Sequence, residues 1–425
     1  MSKRDLQMLA VSALRLRPDF SGLQRLSACS KRETDAFLTW LDHSGLALYF
    51  LAQLRKHCEL NRLPADLRNA LERRSDSNRK RMDGMFAEFS KVNSVLQDRG
   101  VRHAFLKGFT LVPGFCPDAS LRHQSDIDIL VHPDSVPEAA QALLACGYSR
   151  KDRGEAAEIR FATPLQYIPS AHDDIYMLSP HKEAELHTSI WEEIGHVSLV
   201  VPKDCLARSR HRVFRDVEYV SLSLPDMFLM QAMHAFSHLL GSWLRVSWLW
   251  EIHYFLEANA EESELWQEII ARAGDDPTLR KALGLVLLLT KQLFESSIPV
   301  ALEKWCVETL PNRLDTWVRH FGTQWALSEL GGSKVTLFIH EEFVSDAAQW
   351  KGYFWRRLVP LRGRPSLGQI EASDVKTAMA GRAAQFWFAG RRLAFHTGEI
   401  FTFAREAFHW RHALETSRKR RTVSS

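Results

Sequence analysis

The stretch that decides the fold is residues 105–131, FLKGFTLVPGFCPDASLRHQSDIDILV. It sets a Lys-Gly pair after one short apolar run and two aspartates, one residue apart, inside the next. In a strand alternate side chains share a face, and a two-residue step covers roughly 6.5–7 Å. Asp126 and Asp128 therefore project to one side while Ile127, Ile129 and Val131 pack on the other. Burying two like charges side by side costs roughly several kcal/mol unless something compensates them. A divalent cation does so, and Mg²⁺ takes a few carboxylates together with substrate phosphates. The pair thus predicts a platform for one or two metal ions in phosphoryl or nucleotidyl transfer.

The neighbouring residues suit a polyphosphate. Lys107-Gly108 follows the short run VRHAFL. Glycine lets the backbone approach a phosphate closely, and a helix starting after Gly108 would turn its free N–H groups toward the anion. Lys107 adds a point charge, and the Arg122 guanidinium, four residues before Asp126, can fork onto phosphate oxygens. Downstream, KEAELHTSIW alternates Glu183, Glu185 and His187 onto one face of a predicted strand. Glu185, between Ala184 and Leu186, is the expected third metal ligand. His187 is expected to orient it or to touch a phosphate. Asp128, between the metals and that third carboxylate, is the expected aid to deprotonation.

Outward from this segment the periodicity changes. Residues 1–100 carry apolar residues at three- and four-residue intervals, as in ETDAFLTWLDHSGLALYFLAQLRK, the spacing of helices with one buried face. Pro64 marks a helix start and Gly100 a helix end. The basic cluster from Arg73 to Arg81 reads as a solvated face. Between 101 and 200 helices and strands alternate: SDIDILV, the helix SVPEAAQALLACG, then DIYMLSP and EAELHTSIW as two more strands. Helical periodicity returns from Pro225, and ALGLVLLLT reads as a buried helix, far short of the roughly 20 residues that span a membrane. The expected division is an N-terminal helical region (1–100), an α/β core (101–200), a helical domain (201–359), and a linker with a C-terminal helical segment and basic tail (360–425). PLRGRPSLGQ, 360–369, is the expected linker.

With 425 residues, 45% hydrophobic and 25% charged, the chain has an ordinary globular composition. A formal charge of +4 is too small to name nucleic acid as a partner. Six cysteines without metal-ligand spacing read as reduced thiols. Arg15 and Arg17 break up the first apolar run, so no secretion signal is read there, and a cytoplasmic location is expected. His234 and His238 share a helix face, but Ala235 stands where a zinc protease needs glutamate. They read as core or cleft-lining residues, with Arg245 and Glu251 as company on an acceptor side. Trp243, Trp248 and Trp250 read as core packing. The aromatic and arginine-rich C-terminal segment reads first as an ordinary amphipathic helix and second as a peripheral membrane or protein dock.

The words FLKGFTL, LRHQSDIDILV, ACGY and AELHTSIW, with the lead-in LPADLRNALERR to VLQDRG and the later MHAFSH and LRVSWLWEIHYFL, resemble the bacterial uncharacterised nucleotidyltransferase family of the polymerase-beta-like superfamily, from about residue 35 to 260. The resemblance implies an α+β fold, a small mixed nucleotidyltransferase-type sheet embedded between N- and C-terminal helical regions. It also implies Mg²⁺-dependent (or Mn²⁺-dependent) transfer of a nucleoside monophosphate from an NTP, with Asp126, Asp128 and Glu185 as ligands. The acceptor is left open, with polysaccharide or peptide biosynthesis as the suggested setting. Two departures stand out. The superfamily usually has Gly-Ser where this chain has Lys107-Gly108, and the family tends to show aspartate at Glu251. The alternative is a catalytically inactive nucleotide-binding or scaffold protein that retains the fold, and a phosphoesterase using the same carboxylates ranks third.

Overall fold

The computed structural model describes residues 2–151, 158–164, 175–177, 181–191, 194, 196–197, 199–241, 243–328, 334–359, 390, 394 and 396–417. The N-terminal helices are α1 (Lys3–Ser12), α2 (Lys31–Ser44), α3 (Ala47–Lys56) and the long α4 (Ala65–Asp98). Local chemistry sets their ends. Ser30 and Glu33 form a reciprocal capping box at the start of α2, and Gly45 closes it in the left-handed region at φ +75°. α4 begins directly after Pro64, and Gly100 lies at φ +66° just beyond its end.

Seven strands form one mixed sheet. They are β1 (His103–Phe105), β2 (Asp126–Val131), β3 (Ser149–Arg150), β4 (Glu158–Ala162), β5 (Glu183–His187), β6 (Arg210–Phe214) and β7 (Val217–Ser221), with α5 (Val136–Ala145) between β2 and β3. Their order is β3-β4-β5-β2-β1-β7-β6. β2 pairs antiparallel with β1 and parallel with β5, in a register that sets Asp126 opposite Glu183 and Asp128 opposite Glu185. One face of the sheet packs on helices. Ile127, Ile129 and Val131, Ala184 and Leu186, and Ile159 and Phe161 join Met85, Phe89 and Val92 of α4 and Ala139 and Leu143 of α5 in a single core. By alternation the opposite face carries Asp126, Asp128, Glu183, Glu185 and His187.

Two sequence expectations change here. Ile175–Met177, read as part of a strand, form a turn; the rest of DIYMLSP lies outside the described residues. Side chains consume its carbonyls, since His123 Nε2 lies 3.0 Å from Ile175 O and Arg81 Nη1 donates to Met177 O at 2.8 Å. The neighbour β5 receives on that side is β4, whose sequence EIRFA was not singled out. The second change concerns the basic run on α4. Arg81 is buried, and Arg74 holds Asp42 through two nitrogens, so only Arg73, Arg79 and Lys80 of the five are exposed. The hairpin β6–β7 also escaped the sequence reading. It turns at Arg215 and Asp216, both at positive φ, the geometry of a two-residue primed turn.

The chain separates into two compact units, one of residues 1–192, 199–236 and 244–310 and the other of 193–198, 237–243 and 311–425. The first holds the sheet together with α6 (Leu224–Leu240, to residue 236), α7 (Val246–Ala258), α8 (Ser263–Ala273) and α9 (Pro277–Phe294). α9 contains ALGLVLLLT, and nearly all of that run is buried, as expected. The second unit is built of short helices, including Ala347–Leu358, and a helix over 396–417 in which Trp410 is buried and Phe401 and Phe408 are exposed. The expected linker and basic tail fall largely outside the described residues. Among those described, no helix is long and apolar enough to cross a membrane. All six cysteines are free.

Candidate metal and nucleotide site

The β2–β5 register brings two acidic strand faces side by side, and strands in a sheet are roughly 4.8 Å apart. Asp128, Glu185 and His187 each offer a ligand atom, and these atoms all lie within 4.8 Å of one another. His187 Nε2 is 3.1 Å from Asp128 Oδ1 and 3.7 Å from Glu185 Oε2. Asp126 starts β2 one same-face position away and is not part of that trio.

Lys107 leaves the end of β1, where Leu106 N still donates to Asp128 O. Its ammonium lies 2.8 Å from Asp128 Oδ1, and the Asp128 side chain is only 2% exposed. Gly108 sits at φ +68°, and a Cβ there would come within 2.3 Å of Gln124 Nε2. Since Gln124 Nε2 donates to Asp126 O, the glycine gives room to the side chain that fixes the start of β2. The helix expected after Gly108 is a single 3-10 turn, Gly108–Leu111. On the far side of Glu185, Arg160 of β4 approaches it at 3.5 Å and also pairs with Glu158.

Charge crowding shows in the proton affinities. Burial pushes the Glu185 carboxyl up to about 8, helped by repulsion from Asp128, Glu158 and Asp126. Asp126 is raised as well, by burial and then by Asp128. Asp128 goes the other way: burial alone would raise it, but Lys107 and His187 hold it well below the usual carboxylate range. For Lys107 and His187 burial opposes the charged form, yet attraction to Asp128 leaves both above their ordinary values. Two carboxyls raised by burial and then by their negative neighbours mark a site short of positive charge. The donor set of carboxylates and one imidazole fits a divalent cation.

Arg122 lies close enough to Asp126 for the two charges to interact, but its Nε is committed at 3.0 Å to Glu251 Oε1. The loop carrying it is pinned to α4, where Asn78 donates to Ser120 O and Arg122 O and Arg81 to Gln124 O. Glu251, 1% exposed on α7, also accepts from Tyr49 Oη at 3.1 Å and Gln231 Nε2 at 2.7 Å. The length of glutamate lets one residue gather donors from α3, the 119–122 turn and α6. Tyr49, Gln231 and Arg160 were not singled out from the sequence, because a lone polar residue on an apolar helix or an unrecognised strand carries no motif. His234 and His238 are half-buried and face Trp248 and Trp243 respectively. Trp248 and Trp250 are buried as expected, whereas Trp243 is 46% exposed.

The mixed sheet thus carries acidic residues in register on one face and packs helices on the other. Residues 30–295 match the family model described as uncharacterised nucleotidyltransferase. The chain belongs to that family, and the match covers the first unit's sheet and the helices on either side of it. No curated protein and no solved structure matches the chain.

Proposed function

We propose that the protein transfers a nucleoside monophosphate from an NTP to an acceptor hydroxyl, using Mg²⁺ or Mn²⁺. The observation that carries this reading is the Asp128–Glu185–His187 group, with Lys107 on Asp128. Asp126, Asp128 and Glu185 are the residues we assign to hold the metal, with His187 beside them. When bound, a divalent ion supplies charge neutralisation for the polyphosphate and lowers the pKa of a coordinated oxygen nucleophile. Lys107 and Arg122 attract and orient the phosphates, and Gly108 lets the chain pass close to them. Attack forms the bond from acceptor oxygen to the α-phosphorus and breaks the α–β phosphoanhydride. Pyrophosphate leaves, and a carboxylate of the cluster receives the acceptor's proton.

The acceptor class we infer belongs to polysaccharide or peptide biosynthesis, in the cytoplasm. The exposed Phe401 and Phe408 beside Arg405 support peripheral docking of the 396–417 helix. The test is pyrophosphate release and mass-spectrometric detection of a transferred monophosphate, with each NTP, Mg²⁺ and cell extract. Asp126→Ala and Asp128→Ala each abolish the signal on this reading, and unchanged turnover in both rejects it. One observation favours a second reading, a nucleotide-binding protein without turnover: an ammonium already occupies Asp128 Oδ1. Tight NTP binding by calorimetry without any pyrophosphate release across acceptors would select it.

A further inference from the structure

Three strands of the sheet meet a cavity with one end each. β1 begins at His103, β2 stops at Val131 and β5 stops at His187. The residues next to those ends, Arg102, His132 and Thr188, line a space of about 490 Å³ that segment 201–207 borders, all within the first unit. The volume falls in the range of small-molecule sites, roughly 300–1,000 Å³. Leu130, also in the lining, stands opposite His187 in the β2–β5 register. It lies one same-face step beyond Asp128, roughly 6.5–7 Å. A molecule in this cavity is therefore a neighbour of the carboxylate group and does not occupy it.

Arg102 and Lys203 are exposed, and among the described residues neither side chain has a hydrogen-bond or ion-pair partner. The one acid of the lining, Asp204, lies close enough to Arg208 for the two charges to interact. Ser189 Oγ accepts from Trp191 N at 3.1 Å, which leaves its O–H to donate. Two cations without a counter-charge match a dianion, and the space is larger than a phosphate alone fills. We propose that this cavity holds the phosphate ester of a sugar-sized polyol, and that a hydroxyl of that ester is the acceptor. The acceptor role rests on the transfer reading above; the binding does not. Lys107 follows the opposite end of β1 from Arg102, so the two sets of cations bracket the carboxylates. In-line displacement puts the entering oxygen and the leaving pyrophosphate on opposite sides of the α-phosphorus, and this division supplies one end for each. The ester's hydroxyl oxygen bonds to that phosphorus, the α–β phosphoanhydride breaks, pyrophosphate leaves, and the hydroxyl proton passes to a carboxylate of the cluster.

The test is calorimetric titration of the full-length protein in EDTA with the phosphate esters of glycerol, ribose, glucose and inositol, alongside inorganic phosphate and glucose. At least one ester binds more tightly than inorganic phosphate, and glucose does not bind. Arg102→Ala and Lys203→Ala each weaken that binding about tenfold, the worth of a charge-assisted hydrogen bond at a partly exposed site. Lys80→Ala, which removes an exposed cation from α4, leaves it unchanged. If one of the two cavity variants does not fold, the other decides. With Mg²⁺ and each NTP, the ester that binds also drives pyrophosphate release, and Arg102→Ala raises its KM while kcat holds. Ester binding weakened by both variants, with no release from any NTP, upholds the pocket and overturns the acceptor role together with the transfer reading. Release in cell extract with no ester bound at millimolar concentration overturns the pocket and leaves transfer standing. Inorganic phosphate binding as tightly as every ester, or an equal loss in Lys80→Ala, also overturns the pocket.

Discussion

Replacing Lys107 with methionine preserves side-chain length and deletes the ammonium that sits 2.8 Å from Asp128 Oδ1. Removing one partner of a buried ion pair costs about 3–5 kcal/mol, because the other charge stays buried alone. Lys107 is 18% exposed and His187 still reaches the same oxygen at 3.1 Å, so the lower end, about 3 kcal/mol, applies. With about 2.1 cal/mol/K of unfolding entropy per residue, a unit of roughly 300 residues then melts about 5 °C lower. That loss is expected in EDTA. If the cluster is a cation site, millimolar Mg²⁺ takes over the compensation that Lys107 supplied. The wild-type ion must compete with the ammonium for Asp128, whereas the variant's need not. Each tenfold gain in Mg²⁺ affinity adds about 1.4 kcal/mol, or about 2 °C, to the metal-dependent shift. Differential scanning fluorimetry of both proteins, with EDTA and with Mg²⁺, measures the two shifts. A variant as stable as wild type in EDTA, or one whose Mg²⁺ shift is no larger, would refute the reasoning.

Three further outcomes are expected. Glu251→Ala leaves the buried Arg122 guanidinium without its counter-charge and costs about 4 kcal/mol by urea denaturation, while Glu251→Asp, too short to keep all three donors, costs about 1–2 kcal/mol. Gly108→Ala combines a left-handed backbone with displacement of Gln124, so a loss of about 2 kcal/mol should accompany weakened Mg²⁺ binding; normal values for both would refute the constraint assigned to this position. Burial pushes His253 down to about 4, so the fold holds it neutral while the unfolded chain, at its ordinary 6.5, takes up a proton as pH falls. Its contribution is complete above about pH 6.5 and fades as pH drops toward 4, so between pH 7.5 and 5.5 wild type loses about 1.4 kcal/mol more than His253→Gln; equal losses would remove His253 as the cause.

Much of the fold was legible because its signals are local. The strand β2 announced itself by alternation, α9 by an apolar run, and α2 by apolar residues at three- and four-residue intervals. What escaped depends on distant partners. β4 reads as EIRFA, too short and mixed to separate from a loop until β5 is beside it. The segment at Ile175 has strand-like residues, but Arg81 and His123 take its carbonyls from 96 and 52 positions away in the chain. The site divided in the same way. Asp126, Asp128, Glu185 and His187 could be named from two strands with a common period, and their register brings Asp128, Glu185 and His187 together. The Glu251 hub could not, since its donors lie as far as 202 residues from it in the chain.

The pairing of β2 with β5 poses a physical problem that its own residues answer only in part. Like charges directly opposite in a sheet destabilise it, and here Asp126 faces Glu183 and Asp128 faces Glu185 in successive same-face pairs. A sheet selected for stability alone would place apolar residues at Asp128 and Lys107, since such exchanges of a buried ion pair are often neutral or favourable. The cations present are each engaged with one or two oxygens: Lys107 and His187 with Asp128, His187 also with Glu185, and Arg160 with Glu158 and Glu185. They hold Asp128 ionised, but Glu185 is pushed up to about 8 and Asp126 above its ordinary value. One carboxylate is thus kept permanently charged while its neighbours remain electrostatically unsatisfied. That asymmetry makes the face receptive to an added divalent ion without letting the metal-free sheet come apart, and it explains why a lysine, rather than a second acid or an apolar residue, stands at position 107.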